Sequence, residues 1–370
     1  MRTRLKQNKQ KKQQKQNQKT KHRKKQTGGN FHLAKDRIRI YEGNEPELTE
    51  ETNASDKKKN HKKNRPRTRK FKPMQCSPIV DGKTPVRGSC FTRETLEKIK
   101  TAYNENHPDD PISAETPEEV WIILKNRLRY CSTEDCWLGQ IKDQEVRTKI
   151  DEYTFAPDQP PDWKGKGKED QWLSNFDIFN VLKQYEVIYP AFKIIGPTPI
   201  DFDTRPKGSG TCVWEDLCTF QVADYVGKQT KLGVIFNLDK HNRGGSHWVS
   251  MFIDLDDQFI FYLDSAGDKI PKEINAFVKR VIKQGLAMSP PLKLHFYENC
   301  PTEHQYGESE CGMYGLFFII TMLTGRAETK TFSDYNDKID FFKVRRIPDS
   351  YVTKFRRRYF NVPLSFAKKK

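Results

Sequence analysis

The chain has 370 residues, 31% of them charged, and a formal net charge of +17. That length leaves room for one good-sized domain with appendages or for two small ones. The longest apolar run, Met313 to Leu323, is too short to span a bilayer, which excludes a membrane-spanning helix from the expected architecture.

The charge is unevenly spread. Residues 1–30 hold twelve Lys/Arg and no acid, and residues 56–72 hold ten Lys/Arg and Asp56, so the remaining residues sum to −4. Residues 1–75 are expected to form a disordered basic arm and linker, because so few apolar side chains cannot offset chain entropy. A basic arm points to an acidic partner, most simply nucleic acid, or to a solubilising tail. No apolar stretch follows the basic start, so no secretory signal is expected.

Residues 76–160 read as a small helical accessory module. Phe91 to Lys100 places apolar residues at helical spacing. Thr116-Pro117-Glu118-Glu119 is a helix start with an N-cap threonine, proline at the first position and glutamate three after the cap. Val120, Trp121, Ile123, Leu124 and Leu128 supply its apolar face. Pro157, Pro160, Pro161 and the run Lys164-Gly165-Lys166-Gly167-Lys168 mark a boundary. Residues 161–370 then form the main domain.

In that domain Trp172-Leu173-Ser174-Asn175 opens a helix. Leu232 to Leu238 reads as a buried strand. His247 to Leu255 and Phe259 to Asp264 read as two further strands joined by the turn residues Asp256-Asp257-Gln258. Pro271 starts a helix with Ile274, Phe277, Val278, Val281 and Ile282 inward, stopped by Gly285. Leu292 to Tyr297 is another strand. An apolar run after Cys311 is a buried helix. This order predicts an α+β layer with helices on a mixed, mostly antiparallel sheet. The clusters Arg356-Arg357-Arg358 and Lys368-Lys369-Lys370 read as solvated faces.

The eight cysteines, at 76, 90, 131, 136, 212, 218, 300 and 311, form no CxxC pair. Cys131/Cys136 and Cys212/Cys218 are spaced too loosely for a zinc knuckle, so no metal site is expected. Free thiols in a reducing compartment are the expectation. Cys311 stands out. It falls at the start of a helix, where unpaired N–H groups and the helix dipole favour the thiolate, which is the nucleophile. His247 begins one strand and Asp264 ends its hairpin partner, so the turn brings the two together. A carboxylate beside an imidazole fixes its tautomer and stabilises the imidazolium. Gln305 precedes Cys311 by six positions and could donate an amide N–H to an oxyanion. Gly312 would admit substrate close to the backbone or allow tight packing of the helix N-terminus.

The set Trp172-Leu173, His247-Trp248, Asp264-Ser265, Gln305 and Cys311-Gly312 resembles the SUMO-protease/adenain superfamily of cysteine peptidases, in order and in spacing. The resemblance implies a papain-like core with permuted element order. It makes Cys311 the nucleophile, His247 the base and acid, Asp264 its orienter and Gln305 the oxyanion donor, with no cofactor. It also implies that Trp172 and Trp248 sandwich a glycine-rich substrate tail, so that protein substrates with Gly-Gly-Xaa sites are expected. Ser174-Asn175 departs from the cellular enzymes. The helical module and Cys131 to Leu138 look more like proteases of large cytoplasmic DNA viruses, which implies cleavage of virion precursors in the virion and host cytoplasm. Removal of SUMO or ubiquitin-like modifiers is the alternative, and an inert nucleic-acid-binding virion protein is a further one. Gly28-Gly29 in the arm is a candidate self-cleavage site.

Overall fold

The structure is a computed structural model describing residues 70–78, 84–160, 163 and 171–361. Most of the basic arm, Gly28-Gly29, the Lys164–Lys168 run and Lys368 to Lys370 lie outside the described residues.

In the N-terminal part, three helices start where side chains cap them. Arg93–Asn106 (α1) begins after Thr92, whose hydroxyl accepts the Thr95 N–H. Pro117–Arg127 (α2) begins after Thr116, which accepts from the Glu119 N–H and donates to the Glu119 carboxylate. Gln144–Thr154 (α3) is capped by Asp143. With a 3₁₀ turn at Asp135–Gln140 they enclose a core containing Phe91, Leu96, Ile99, Val120, Leu124 and Trp137. The predicted helical character of this part is what the structure has.

The main core starts with Asn175–Ile188 (α4), held by a reciprocal box between Ser174 and Asp177. Phe192–Pro199 (β1) follows, then a short helix at Glu215–Cys218 (α5). Lys231–Asn237 (β2), Trp248–Asp254 (β3) and Phe259–Leu263 (β4) come next, then Lys272–Leu286 (α6), His295–Glu298 (β5) and Cys311–Thr324 (α7). A two-residue-strand hairpin, Arg326–Ala327 (β6) with Lys330–Thr331 (β7), precedes Tyr335–Lys343 (α8), Asp349–Thr353 (α9) and Arg356–Tyr359 (α10). The sheet runs in the order β1-β2-β3-β4-β5; its central pairings are antiparallel and its outer two parallel.

Both faces of the sheet are covered, so its strands are apolar on alternate sides. Leu232, Val234, Phe236, Val249, Met251, Ile253, Ile260 and Tyr262 pack with Phe277 and Val281 of α6. Ile235, Phe252, Phe259, Phe261 and Leu263 pack with Phe317 and Phe318 of α7. From Cys311 to Met322 every residue of α7 is buried, which explains its all-round apolar sequence. The β3–β4 turn is built by Asp254, whose Oδ1 accepts the N–H groups of Asp256 and Asp257, and by Gln258 in the left-handed region at φ 54°.

Several expectations are corrected. Six of the eight cysteines are paired, as Cys76–Cys90, Cys131–Cys136 and Cys212–Cys218, with Cα–Cα separations of 5.2, 5.5 and 6.6 Å. Only Cys300 and Cys311 carry free thiols, because the folded loops bring the other partners within bridging reach. Arg356 is not a solvated side chain. It is buried, with its guanidinium 4.2 Å from the Trp163 ring centroid and a hydrogen bond to the Gln171 carbonyl. Strand β1 was not read from the sequence, because Pro197 and Pro199 argue against a strand interior; its edge position tolerates them.

Helix α7 packs closely on the sheet at Gly233. A Cβ there would lie 2.9 Å from Ile319 and 3.0 Å from the Phe192 ring. Gly233→Val is expected to destabilise the fold by about 1–3 kcal/mol through overpacking. Urea unfolding checks this; a midpoint equal to that of the unsubstituted chain contradicts it.

Candidate active site

The β3–β4 hairpin and the N-terminus of α7 meet at one end of the sheet. His247 immediately precedes β3 and Asp264 immediately follows β4. The hairpin register makes these ends neighbours. His247 Nε2 lies 2.7 Å from Asp264 Oδ1. The carboxylate is itself fixed. Its Oδ1 also accepts the Ala266 N–H, and the Asp264 backbone exchanges two hydrogen bonds with the buried side-chain amide of Asn299. With Nε2 committed to Asp264, the other ring nitrogen is left for Cys311, whose proximity favours the charged imidazole.

Cys311 is the first residue of α7, and Glu310 before it provides no side-chain cap. The first N–H groups of such a helix have no intrahelical acceptor and carry the positive end of its dipole. Cys311 is 1% exposed, Asp264 2% and the His247 side chain 14%. Burial alone would lower the His247 pKa. Interaction with Asp264, and then with Cys311, overrides it and pushes the value up to about 10. The imidazole is therefore held as imidazolium at neutral pH. Cys300, the other free thiol, is pushed the opposite way from reactivity: burial and nearby Glu298 raise its pKa.

Gln305 is brought to the same place. Its Nε2 donates to the Gly307 carbonyl at 3.0 Å, and its Oε1 accepts from the Ser265 hydroxyl at 2.7 Å. The loop carrying it is braced from behind. His304 is buried; its Nδ1 accepts from the Ile347 N–H, so its Nε2 carries the hydrogen that goes to the Phe342 carbonyl. Burial lowers its pKa, which keeps it neutral. The Asp349 carboxylate accepts from the Tyr306 and Gly307 N–H groups and lies 3.0 Å from the Tyr314 hydroxyl on α7.

The aromatic pair also converges here. Trp248 is buried, and its indole N–H donates to the Leu173 carbonyl at 3.0 Å. Trp172, half-buried, packs against the same cluster. A Cβ at Gly312 would meet Leu173 at 3.0 Å, so on that side the glycine serves helix packing rather than substrate approach. Sequence reasoning missed Asn299, His304 and Asp349. Each is an isolated polar residue with no spacing signal, and its function depends on contacts across the fold.

Together the arrangement offers a sulfur nucleophile, an imidazole able to donate and take a proton, a carboxylate holding that imidazole, and N–H donors beside the sulfur. That is the equipment for attack on an acyl carbon.

Comparison with known proteins places these features beside known proteases. Residues 232–362 match the C-terminal catalytic domain of the Ulp1 protease family. A thiol protease of Acanthamoeba polyphaga mimivirus is 30% identical over 53% of this chain, and the match spans 60% of that relative's length. A cysteine protease of African swine fever virus is 25% identical over 72% of this chain and 98% of its own. A crystal structure of an African swine fever virus protease, 18% identical, superposes with a TM-score of 0.50 over 80% of this chain and 98% of that one, which establishes the shared fold. The expected mixed fold, helices packed on a mixed sheet, is therefore the one this chain has.

A raised imidazole pKa has a consequence for stability. The folded state retains the His247 proton up to about pH 10, whereas the unfolded chain releases it near its ordinary value of 6.5. The stabilisation is full below pH 6.5 and is lost as pH rises through 10. Urea unfolding between these limits should show stability falling with pH, and Asp264→Asn should flatten that slope. Equal slopes in the two proteins would contradict the ion-paired site.

Proposed function

We propose that this chain is a cysteine endopeptidase of the Ulp1 kind that cuts after Gly-Gly in viral structural precursor proteins during virion maturation. The observation that carries the reading is Cys311 at an uncapped helix start, near an imidazole that lies 2.7 Å from Asp264.

In this reading the Cys311 sulfur attacks the carbonyl carbon of the second glycine. The carbonyl oxygen becomes an oxyanion and is met by the Gln305 amide and a backbone N–H at the start of α7. The C–N bond then breaks. His247 gives its proton to the departing amine, leaving a thioester on Cys311. Water enters, His247 takes its proton, and the hydroxide equivalent attacks the thioester carbon. The C–S bond breaks, the carboxylic acid leaves, and the proton returns the pair to its starting state. Asp264 holds the ring in register throughout.

Support for the glycine preference comes from burial. Cys311 is 1% exposed and shares its apolar cluster with Trp248 and Trp172, and a substrate chain without Cβ atoms would reach so buried a sulfur most easily. Support for the viral setting comes from the mimivirus and swine-fever-virus relatives. Action in the virion and the host cytoplasm, at virus factories, follows from the same setting. Residues 1–72, rich in Lys/Arg, would hold the enzyme near viral nucleic acid by counterion release.

A peptide-library digest with unsubstituted chain and Cys311→Ala tests the reading. Cleavage should follow Gly-Gly and should vanish in the variant. Cleavage without glycine preference, or undiminished in the variant, overturns it. A folded SUMO conjugate in the same assay separates the alternative: cleavage of the conjugate with no cleavage of short Gly-Gly peptides favours modifier removal. No cleavage of either favours the inert virion protein.

A further inference from the structure

Ser265, the neighbour of Asp264, makes three hydrogen bonds to the loop that carries Gln305. Its backbone carbonyl accepts the N–H of His304 at 2.9 Å and the N–H of Gln305 at 2.8 Å. Its hydroxyl lies 2.7 Å from Gln305 Oε1. Both side chains are buried, Ser265 at 1% exposure and Gln305 at 8%.

The chemistry of these contacts fixes which way the amide faces. The Gly307 carbonyl can only accept, so the Gln305 atom facing it at 3.0 Å must be the NH₂ group. The other amide atom is then the oxygen, and the Ser265 hydroxyl must donate to it. One amide N–H is taken by Gly307, and the second is the one left for a substrate oxyanion. If the amide turned over, its oxygen would face both the Gly307 carbonyl and the developing negative charge. Two acceptors face to face in a buried site are unfavourable. Without the hydroxyl, however, nothing on the Ser265 side prevents the amide from swinging off line.

We propose that Ser265 is the positioning residue for the oxyanion donor: its hydroxyl locks the Gln305 amide so that an N–H faces the reacting carbonyl. The Asp264-Ser265 pair then aligns both halves of the site, Asp264 through the imidazole and Ser265 through the amide. The proposal rests on the peptidase reading above and on Gln305 as the group that meets the oxyanion.

Ser265→Ala removes the hydroxyl and leaves the backbone carbonyl with both of its hydrogen bonds. The test compares unsubstituted chain, Ser265→Ala, Gln305→Ala and the double variant. One readout is hydrolysis of a Gly-Gly coumarinyl amide. The other is alkylation of Cys311 by iodoacetamide, which uses the thiolate but no oxyanion hole. Ser265→Ala should lower kcat by about tenfold to a hundredfold, within the cost of losing an oxyanion donor, with KM changed less than about twofold and alkylation unchanged. The double variant should be no slower than Gln305→Ala alone, because both act through one N–H. Ordinary kcat in Ser265→Ala overturns the proposal. So does alkylation that falls in step with hydrolysis, which would mean Ser265 acts through Asp264 and His247. Additive losses in the double variant overturn it as well. An unsubstituted enzyme that alkylates but hydrolyses no amide overturns the peptidase reading itself, and this proposal with it.

Discussion

The contact on which the site depends is the hydrogen bond between His247 and Asp264 at the end of a two-strand hairpin. A hairpin's register is fixed by its turn, and here the turn is set by Asp254 and Gln258 at the far end. Slipping by one residue would turn every strand side chain to the other face. With both faces buried against α6 and α7, no such slip is tolerated. The sheet's core thus supplies the positional accuracy that a proton relay needs, and it does so with residues far from the chemistry.

The second constraint is α7. Its apolar circumference commits it to the centre of the domain. The start of that helix, where Cys311 sits, therefore cannot move independently of the sheet carrying His247. Gly312 lets α7 close onto Leu173, and Gly315 lets it approach Ile235. A sulfur near the positive end of a fixed helix, facing a fixed imidazole, needs little reorganisation when charge develops. The loop from His304 to Glu310 completes the site. Tyr314, Ile347 and Asp349 restrain it from the α7 and C-terminal sides, and Ser265 restrains it from the hairpin side.

Much of this was legible before the structure. Apolar runs and turn residues gave β2, β3 and β4; the run after Cys311 gave α7; the threonine-proline-glutamate start gave α2. Strongly patterned segments carry their own signal, and the hairpin turn converts two distant residues into one pair. What was not legible depends on contacts across the chain. Strand β1 contains two prolines and is a strand only because β2 offers it an edge. Asn299 and His304 act by filling the hydrogen-bonding needs of backbone groups that only the fold brings near. The cysteine pairs are the same case: spacing in sequence said nothing about Cys76 meeting Cys90 across a loop. The N-terminal helices dock through similar cross-chain contacts, with Gln184 of α4 donating to the carbonyls of Glu152 and Phe155, and Asn361 accepting the Gln75 N–H.

The central claim is that one of two free thiols is a nucleophile and the other is not, and that the imidazole makes the difference. Covalent trapping measures this directly. A Gly-Gly vinyl sulfone incubated with the full chain at neutral pH, followed by peptide mapping by mass spectrometry, should place a single thioether on Cys311 and none on Cys300. His247→Ala should slow that adduct sharply. Labelling of Cys300, equal labelling of both thiols, or a rate indifferent to His247 would contradict the account.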